Sequence, residues 1–249
     1  MIPNPIHKVL STLSTHEVRY LLMGGQACVL YGGAQFSRDC DIVIVCDEQN
    51  LERLKNALGK LQAEQIAVPP FAREYLERGH AVHFRCHAAE ASEIRLDVMA
   101  RLRGVAPFEE LWSRRTTLED APGARLEIVS LPDLVAAKKT QRDKDWPMIR
   151  RLIEAHYSEH RDNAGEEELK FWLRESRTPE ILIDLAARFP ELASREVSDR
   201  PLLKGAIAAD RVRLEASLAE EESREREVDR KFWEPLKREL EQLRRNRRP

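Results

Sequence analysis

Tyr20-Leu21-Leu22-Met23-Gly24-Gly25, thirteen residues from Gln26 to Arg38, and then Asp39-Cys40-Asp41-Ile42-Val43-Ile44-Val45 form the stretch on which the fold turns. Four mostly apolar residues stopped by a glycine pair predict a buried strand entering a turn. Gln26 to Tyr31 is helix-compatible and stops at Gly32-Gly33, a C-terminal signal. Asp41 to Val45 is β-branched and apolar on both faces after its first residue, as a central strand is. Glycine lets the backbone come close to an anion, and a helix start offers unpaired N–H groups and a positive dipole end. Gly24 and Gly25 therefore predict a phosphate cradle. Asp39 and Asp41 stand two apart at the head of a strand, so both carboxylates share a face. Two hard anionic ligands side by side call for a cation such as Mg²⁺.

Working outward, Leu51, Leu54, Leu58 and Leu61 recur at helical spacing, so Gln49 to Leu61 predicts an amphipathic helix packed on the sheet. Ala81 to Cys86 and Ile94 to Ala100 alternate as strands, with a connection short enough for a hairpin. The second strand puts Leu96 and Val98 on one face, and Arg95 and Asp97 on the other. Asp97 is thereby a third carboxylate for the same metal pair, able to help take a proton from an acceptor hydroxyl. Like charges that near raise one another's pKa, so at least one of the three carboxyls is expected to be elevated in the metal-free protein. Arg125 to Val129 is a further strand candidate. From residue 131 the pattern is nearly all helical: Leu131–Gln141, Trp146–Tyr157, Glu166–Glu175, Pro179–Arg188 and much of Arg200–Leu243, with Pro235 expected to break or kink the last. The reading is thus an α/β (α+β) core over residues 1–130, with a small mixed sheet flanked by helices, followed by a helical region over 131–249.

The composition narrows the function classes. With 249 residues and 42% hydrophobic content, the chain can bury a sizeable core. Lys and Arg number 41 against 43 Asp and Glu, a net charge of −2, which argues against a generally basic nucleic-acid binder. No apolar run approaches the ~20 residues that span a bilayer, and Met1 to Ser14 does not read as a signal peptide. Cys28, Cys40, Cys46 and Cys86 form no C-x-x-C pair, so a disulfide scaffold is not expected and a cytoplasmic location is.

Gly24-Gly25, the gap, Asp39-x-Asp41 and the later Asp97 resemble the polymerase-β-like nucleotidyltransferase superfamily. Met23-Gly24-Gly25-Gln26-Ala27, Tyr31-Gly32, Arg38-Asp39-Cys40-Asp41-Ile42 and, later, Ala136-Ala137-Lys138 with Arg142-Asp143-Lys144-Asp145 are similar to bacterial AbiEii-type and related stand-alone members. The likeness spans about residues 18–155. It implies two Mg²⁺ ions held by Asp39, Asp41 and Asp97, and a nucleoside triphosphate held by Gly24 and Gly25, with Lys138 reaching its phosphates. It further implies transfer of a nucleoside monophosphate to a hydroxyl of RNA (tRNA among the candidates), protein or a small molecule, in toxin–antitoxin or phage-defence systems. The competing expectation is a non-catalytic binding or antitoxin subunit of the same fold. Two departures stand out: Cys40 lies between the acids, and Gly25 replaces a serine that many members carry.

Other candidates read more plainly. Asp143 and Asp145 flank a helix start, where capping accounts for them. His83 and Cys86 fall on opposite faces of their strand, so they cannot share a tetrahedral zinc. Leu214, Leu218, Val228, Phe232, Leu236, Leu240 and Leu243 make a narrow apolar stripe, for packing on the core, on a partner chain or in a homodimer. Arg244, Arg245, Arg247 and Arg248 would serve RNA phosphates if the tail bound RNA.

Overall fold

The computed structural model describes residues 4–121 and 124–246. The chain forms two compact units. One takes in residues up to 30, residues 34–137 and those from 232 on; the other takes in 31–33 and 138–231.

The first unit holds seven strands: β1 (Tyr20–Met23), β2 (Cys40–Ile44), β3 (Glu64–Gln65), β4 (Val82–Arg85), β5 (Arg95–Met99), β6 (Thr116–Ala121) and β7 (Ala124–Ile128). They make one mixed sheet in the order β3-β4-β5-β2-β1-β7-β6. β2 runs antiparallel to β1 and parallel to β5, and β4 and β5 form the expected antiparallel pair. β2 is therefore central, which is why Ile42, Val43 and Ile44 are buried on both faces.

The helices of this unit are α1 (Asn4–Thr15), α2 (Gly24–Leu30), α3 (Glu48–Lys60), α4 (Arg73–Arg78), α5 (Phe108–Ser113) and α6 (Leu131–Lys138). α3 and the residue after it bury the anticipated stripe of Leu51, Leu54, Leu58 and Leu61. Asp47 caps α3 by accepting the Asn50 N–H at 2.7 Å, an interaction worth about 1 kcal/mol. α1 buries Ile6, Val9, Leu10 and Leu13, an i, i+3, i+4, i+7 set.

The second unit is helical: α7 (Asp145–His160), α8 (Glu166–Glu175), α9 (Pro179–Arg188), α10 (Pro190–Glu196), α11 (Leu203–Ile207) and the first part of α12 (Arg211–Asn246). α9 starts on proline as the sequence predicts, although Thr178 donates its hydroxyl to Glu154 at 2.6 Å instead of capping. An ion-pair cluster centres on Glu221. Arg200 grips it with Nε and a terminal nitrogen at 3.0 and 2.8 Å, and Arg177 adds a third bond at 2.8 Å.

Pro235 does not end the last helix, because α12 continues through it to Asn246. The bond a proline cannot make would have gone to the Lys231 carbonyl, and Lys231 is the last residue of the second unit. Beyond it the helix is held within the first unit. Phe232 and Leu236 lie against Gly79, and Glu239 accepts from Arg78 and pairs with His80 at 2.8 and 2.6 Å. Leu214, Leu218 and Leu236 of the apolar stripe are buried within the chain, whereas Val228 is exposed. Arg244 and Arg245 are exposed; Arg247 and Arg248 lie outside the described residues. No described helix is long and apolar enough to cross a membrane.

Candidate active site

The sheet register sets Met23 opposite Asp41, Asp41 opposite Asp97, and Asp97 opposite His83. Residues paired across neighbouring strands share a face. Met23, Asp41, Asp97 and His83 therefore form one row across β1, β2, β5 and β4, with Asp39 two residues before Asp41 at the mouth of β2. Cys40, between the two acids, is fully buried on the opposite face. Burial, with Asp41 next to it, pushes its thiol well above the usual range. Cys40 thus packs as a small apolar residue.

The glycine pair seats Asp41. Gly24 has φ of +66°, and a Cβ there would stand 1.9 Å from Asp41 Oδ2. The Gly25 N–H donates to that same oxygen at 3.3 Å. The amide expected to face a phosphate is therefore aimed at a carboxylate in this structure. A Cβ on Gly25 would stand 2.3 Å from Ser37 Oγ. The following loop thus brings the Ser37 hydroxyl beside Gly25. Ser37 Oγ donates to the Asp39 carbonyl at 3.3 Å, and the buried Gln26 side chain donates to the Ser37 carbonyl at 2.8 Å. Ser37 gave no signal in the sequence because its position depends on how the loop folds back. Gly25→Ser is expected to overpack this contact and destabilise the fold by about 1–3 kcal/mol. Ser37→Gly in the same chain should restore stability, as denaturant melts would show.

Asp97 is 8% exposed. Its Oδ1 accepts from Arg95 Nε at 2.7 Å and from His83 Nδ1 at 2.8 Å. The Nδ1–H form of His83 is the one that can donate to a carboxylate. Burial pushes the Asp97 carboxyl up, but the hydrogen bonds from His83 and Arg95 outweigh it and hold the group below the usual carboxylate range. The expected elevation thus does not occur at Asp97, because its nearest charged neighbour is a guanidinium. His83 entered the sequence reading only as a zinc candidate, and its place beside Asp97 follows from the β4–β5 register.

Asp39 is half-buried, and among the described residues its carboxylate makes no hydrogen bond or ion pair. The Arg38 guanidinium lies over the Phe36 ring, 5.6 Å from the centroid. Three carboxylates, two in register and one without a protein partner, are the donor chemistry Mg²⁺ takes. Among the described residues no three or more His, Cys, Asp or Glu side chains are closed up as a ready-made metal site. Arg95 and His83 draw Asp97 Oδ1 to themselves, so a cation would be met by its other oxygen.

Lys138 ends α6 and belongs to the second unit, where its Nζ lies 3.7 Å from Asp145 Oδ1. Asp145 does not cap α7. It is buried and accepts from Thr140 Oγ1 at 2.5 Å and from Arg142 Nε at 2.7 Å. The Lys-to-Asp segment is therefore a local ion-pair network as the chain turns into α7. No family model matches the chain, and no curated protein matches it.

Proposed function

We propose that the chain is a Mg²⁺-dependent nucleotidyltransferase, moving a nucleoside monophosphate from a nucleoside triphosphate to an acceptor hydroxyl and releasing pyrophosphate. The observation that carries this is the pairing of Asp41 with Asp97 in register on adjacent parallel strands, with the unpartnered Asp39 two residues upstream. An acid that opens a β-branched central strand is costly unless its charge is met; the Gly25 N–H meets one oxygen of Asp41, and a cation shared with Asp97 would meet more of its charge. Asp39, Asp41 and Asp97 would hold Mg²⁺, which when bound neutralises the triphosphate and lowers the pKa of the attacking hydroxyl. Asp97, with a depressed pKa, is a weak base of its own. Its role on this reading is to hold charge, with His83 and Arg95 fixing its orientation. Gly24 and Gly25 would line the phosphate side. The acceptor is RNA such as tRNA, a protein or a small molecule, and a toxin–antitoxin or phage-defence setting suits such an enzyme.

One observation favours a second reading, a non-catalytic binding subunit that pairs with another chain through its C-terminal helices: Asp97 Oδ1 is already taken by two donors. Calorimetry with Mg²⁺ and ATP separates metal-dependent nucleotide binding from its absence. The wild type is expected to bind, and Asp39→Ala/Asp41→Ala to lose at least about a hundredfold in affinity, since two of the three carboxylates that would hold the cation are removed. Equal affinity in both would remove the metal assignment.

A further inference from the structure

We propose that Phe36 and Arg38 form a stacking platform for the nucleobase of the nucleoside triphosphate. This rests on the nucleotidyl-transfer reading and adds the part of the ligand that reading leaves unplaced. Phe36 is 63% exposed, whereas most of the other large apolar side chains are buried or half-buried. A single exposed apolar residue is unremarkable by itself. Here three further observations act on it. The Arg38 guanidinium lies over the ring, 5.6 Å from its centroid, without forming an ion pair among the described residues. The loop carrying both is tied at Ser37, between them, by the buried Gln26 side chain at 2.8 Å. The next residue in the chain is Asp39.

That arrangement gives the site a polarity. Phe36 and Asp39 are three residues apart, so their Cα atoms lie within about 10 Å of each other along the chain. A nucleotide whose phosphates met the carboxylate-bound cation would carry its base toward the same short loop. An aromatic face and a guanidinium plane are the two groups that stack on bases, and both tolerate any base because every base has a π face. Ser37 between them is pinned down, so the platform is held before ligand arrives and its ordering cost is small. The platform thus selects for a base over a bare polyphosphate, and discriminates weakly among bases, purines ahead of pyrimidines.

The test is calorimetry of wild type and Phe36→Ala with two probes in Mg²⁺: ATP, and inorganic tripolyphosphate, which lacks the base. Phe36→Ala is expected to weaken ATP about tenfold or more and leave tripolyphosphate unchanged. Phe36→Trp should keep ATP affinity, and its fluorescence should be quenched on ATP addition but not on tripolyphosphate addition. Unchanged ATP affinity in Phe36→Ala, equal weakening of both probes, or an unquenched Trp overturns the platform. If the wild type binds both probes and Phe36→Ala matches it, the platform alone falls. If the wild type binds neither, the nucleotidyl-transfer reading falls and takes the platform with it.

Discussion

Gly24→Ala is expected to destabilise the protein by about 2–4 kcal/mol and to abolish Mg²⁺–ATP binding. Two separate costs act at this position. An L-residue at φ of +66° is strained by roughly 1–2 kcal/mol, because its Cβ crowds the following carbonyl. The new Cβ would also stand 1.9 Å from Asp41 Oδ2, 2.4 Å from its Cγ and 2.6 Å from its Cβ. Neither the β2 backbone nor the turn can give by that much, so the Asp41 carboxylate must swing out of the row it shares with Asp97. The stability loss is read from denaturant melts and the binding loss from calorimetry. A Gly24→Ala protein that melts and binds like the wild type would mean that the turn does not set Asp41 at all.

Glu221→Gln is expected to destabilise the second unit by about 3–5 kcal/mol, lowering its melting temperature by roughly 12 °C or more. The Arg177 and Arg200 side chains are 8% and 6% exposed, and Glu221 is the carboxylate both of them meet. Glutamine keeps the shape and removes the charge, leaving two buried guanidinium groups without the carboxylate they share. Their remaining bonds go to neutral carbonyls, Leu218 for Arg177 and Leu173 for Arg200. The sign of the pH response follows from Glu221 itself. Burial pushes its carboxyl up, but the hydrogen bond and charge of Arg200, then Arg177, hold it below the ordinary value of 4.5. A lowered folded value means that the group's stabilisation is present above about pH 4.5 and is lost as pH falls through the folded value. The wild type should therefore lose stability in acid more steeply than Glu221→Gln. Parallel acid limbs in thermal melts would show that the pair contributes nothing net.

The legible and illegible parts of this chain divide along physical lines. β1, β2, β4 and β5 could be read because each is a short apolar or alternating run between polar segments, and burial on a sheet forces that pattern. The bounds read for α8 and α9 agree with the structure, and for α9 Thr178-Pro179 is the local start signal. α12 escaped its own rule, since Pro235 costs one hydrogen bond in a helix whose flanking turns carry many ion pairs, and residues 232–246 are fastened to Gly79 and His80. In the site, Asp41 and Asp97 were legible as candidates, but their being level with each other depends on strand order and register, which no spacing encodes. Ser37, Phe36 and His83 were invisible as site residues for the same reason: each is placed by a loop fold or a strand neighbour, not by a motif. Asp145 shows the reverse error, where a cap signal is overruled by bonds from Thr140 and Arg142 in the preceding turn, with Lys138 nearby.

The most direct measurement is transfer itself. The protein is incubated with each of the four nucleoside triphosphates, labelled at the α-phosphate, with Mg²⁺ and a lysate containing RNA, protein and small molecules. The account predicts that label passes to an acceptor with release of pyrophosphate, and that Asp39→Ala/Asp41→Ala lowers this by at least about a thousandfold while keeping a wild-type melt. Label transfer undiminished in the double variant, or no labelled acceptor and no pyrophosphate with any of the four nucleotides, would contradict it.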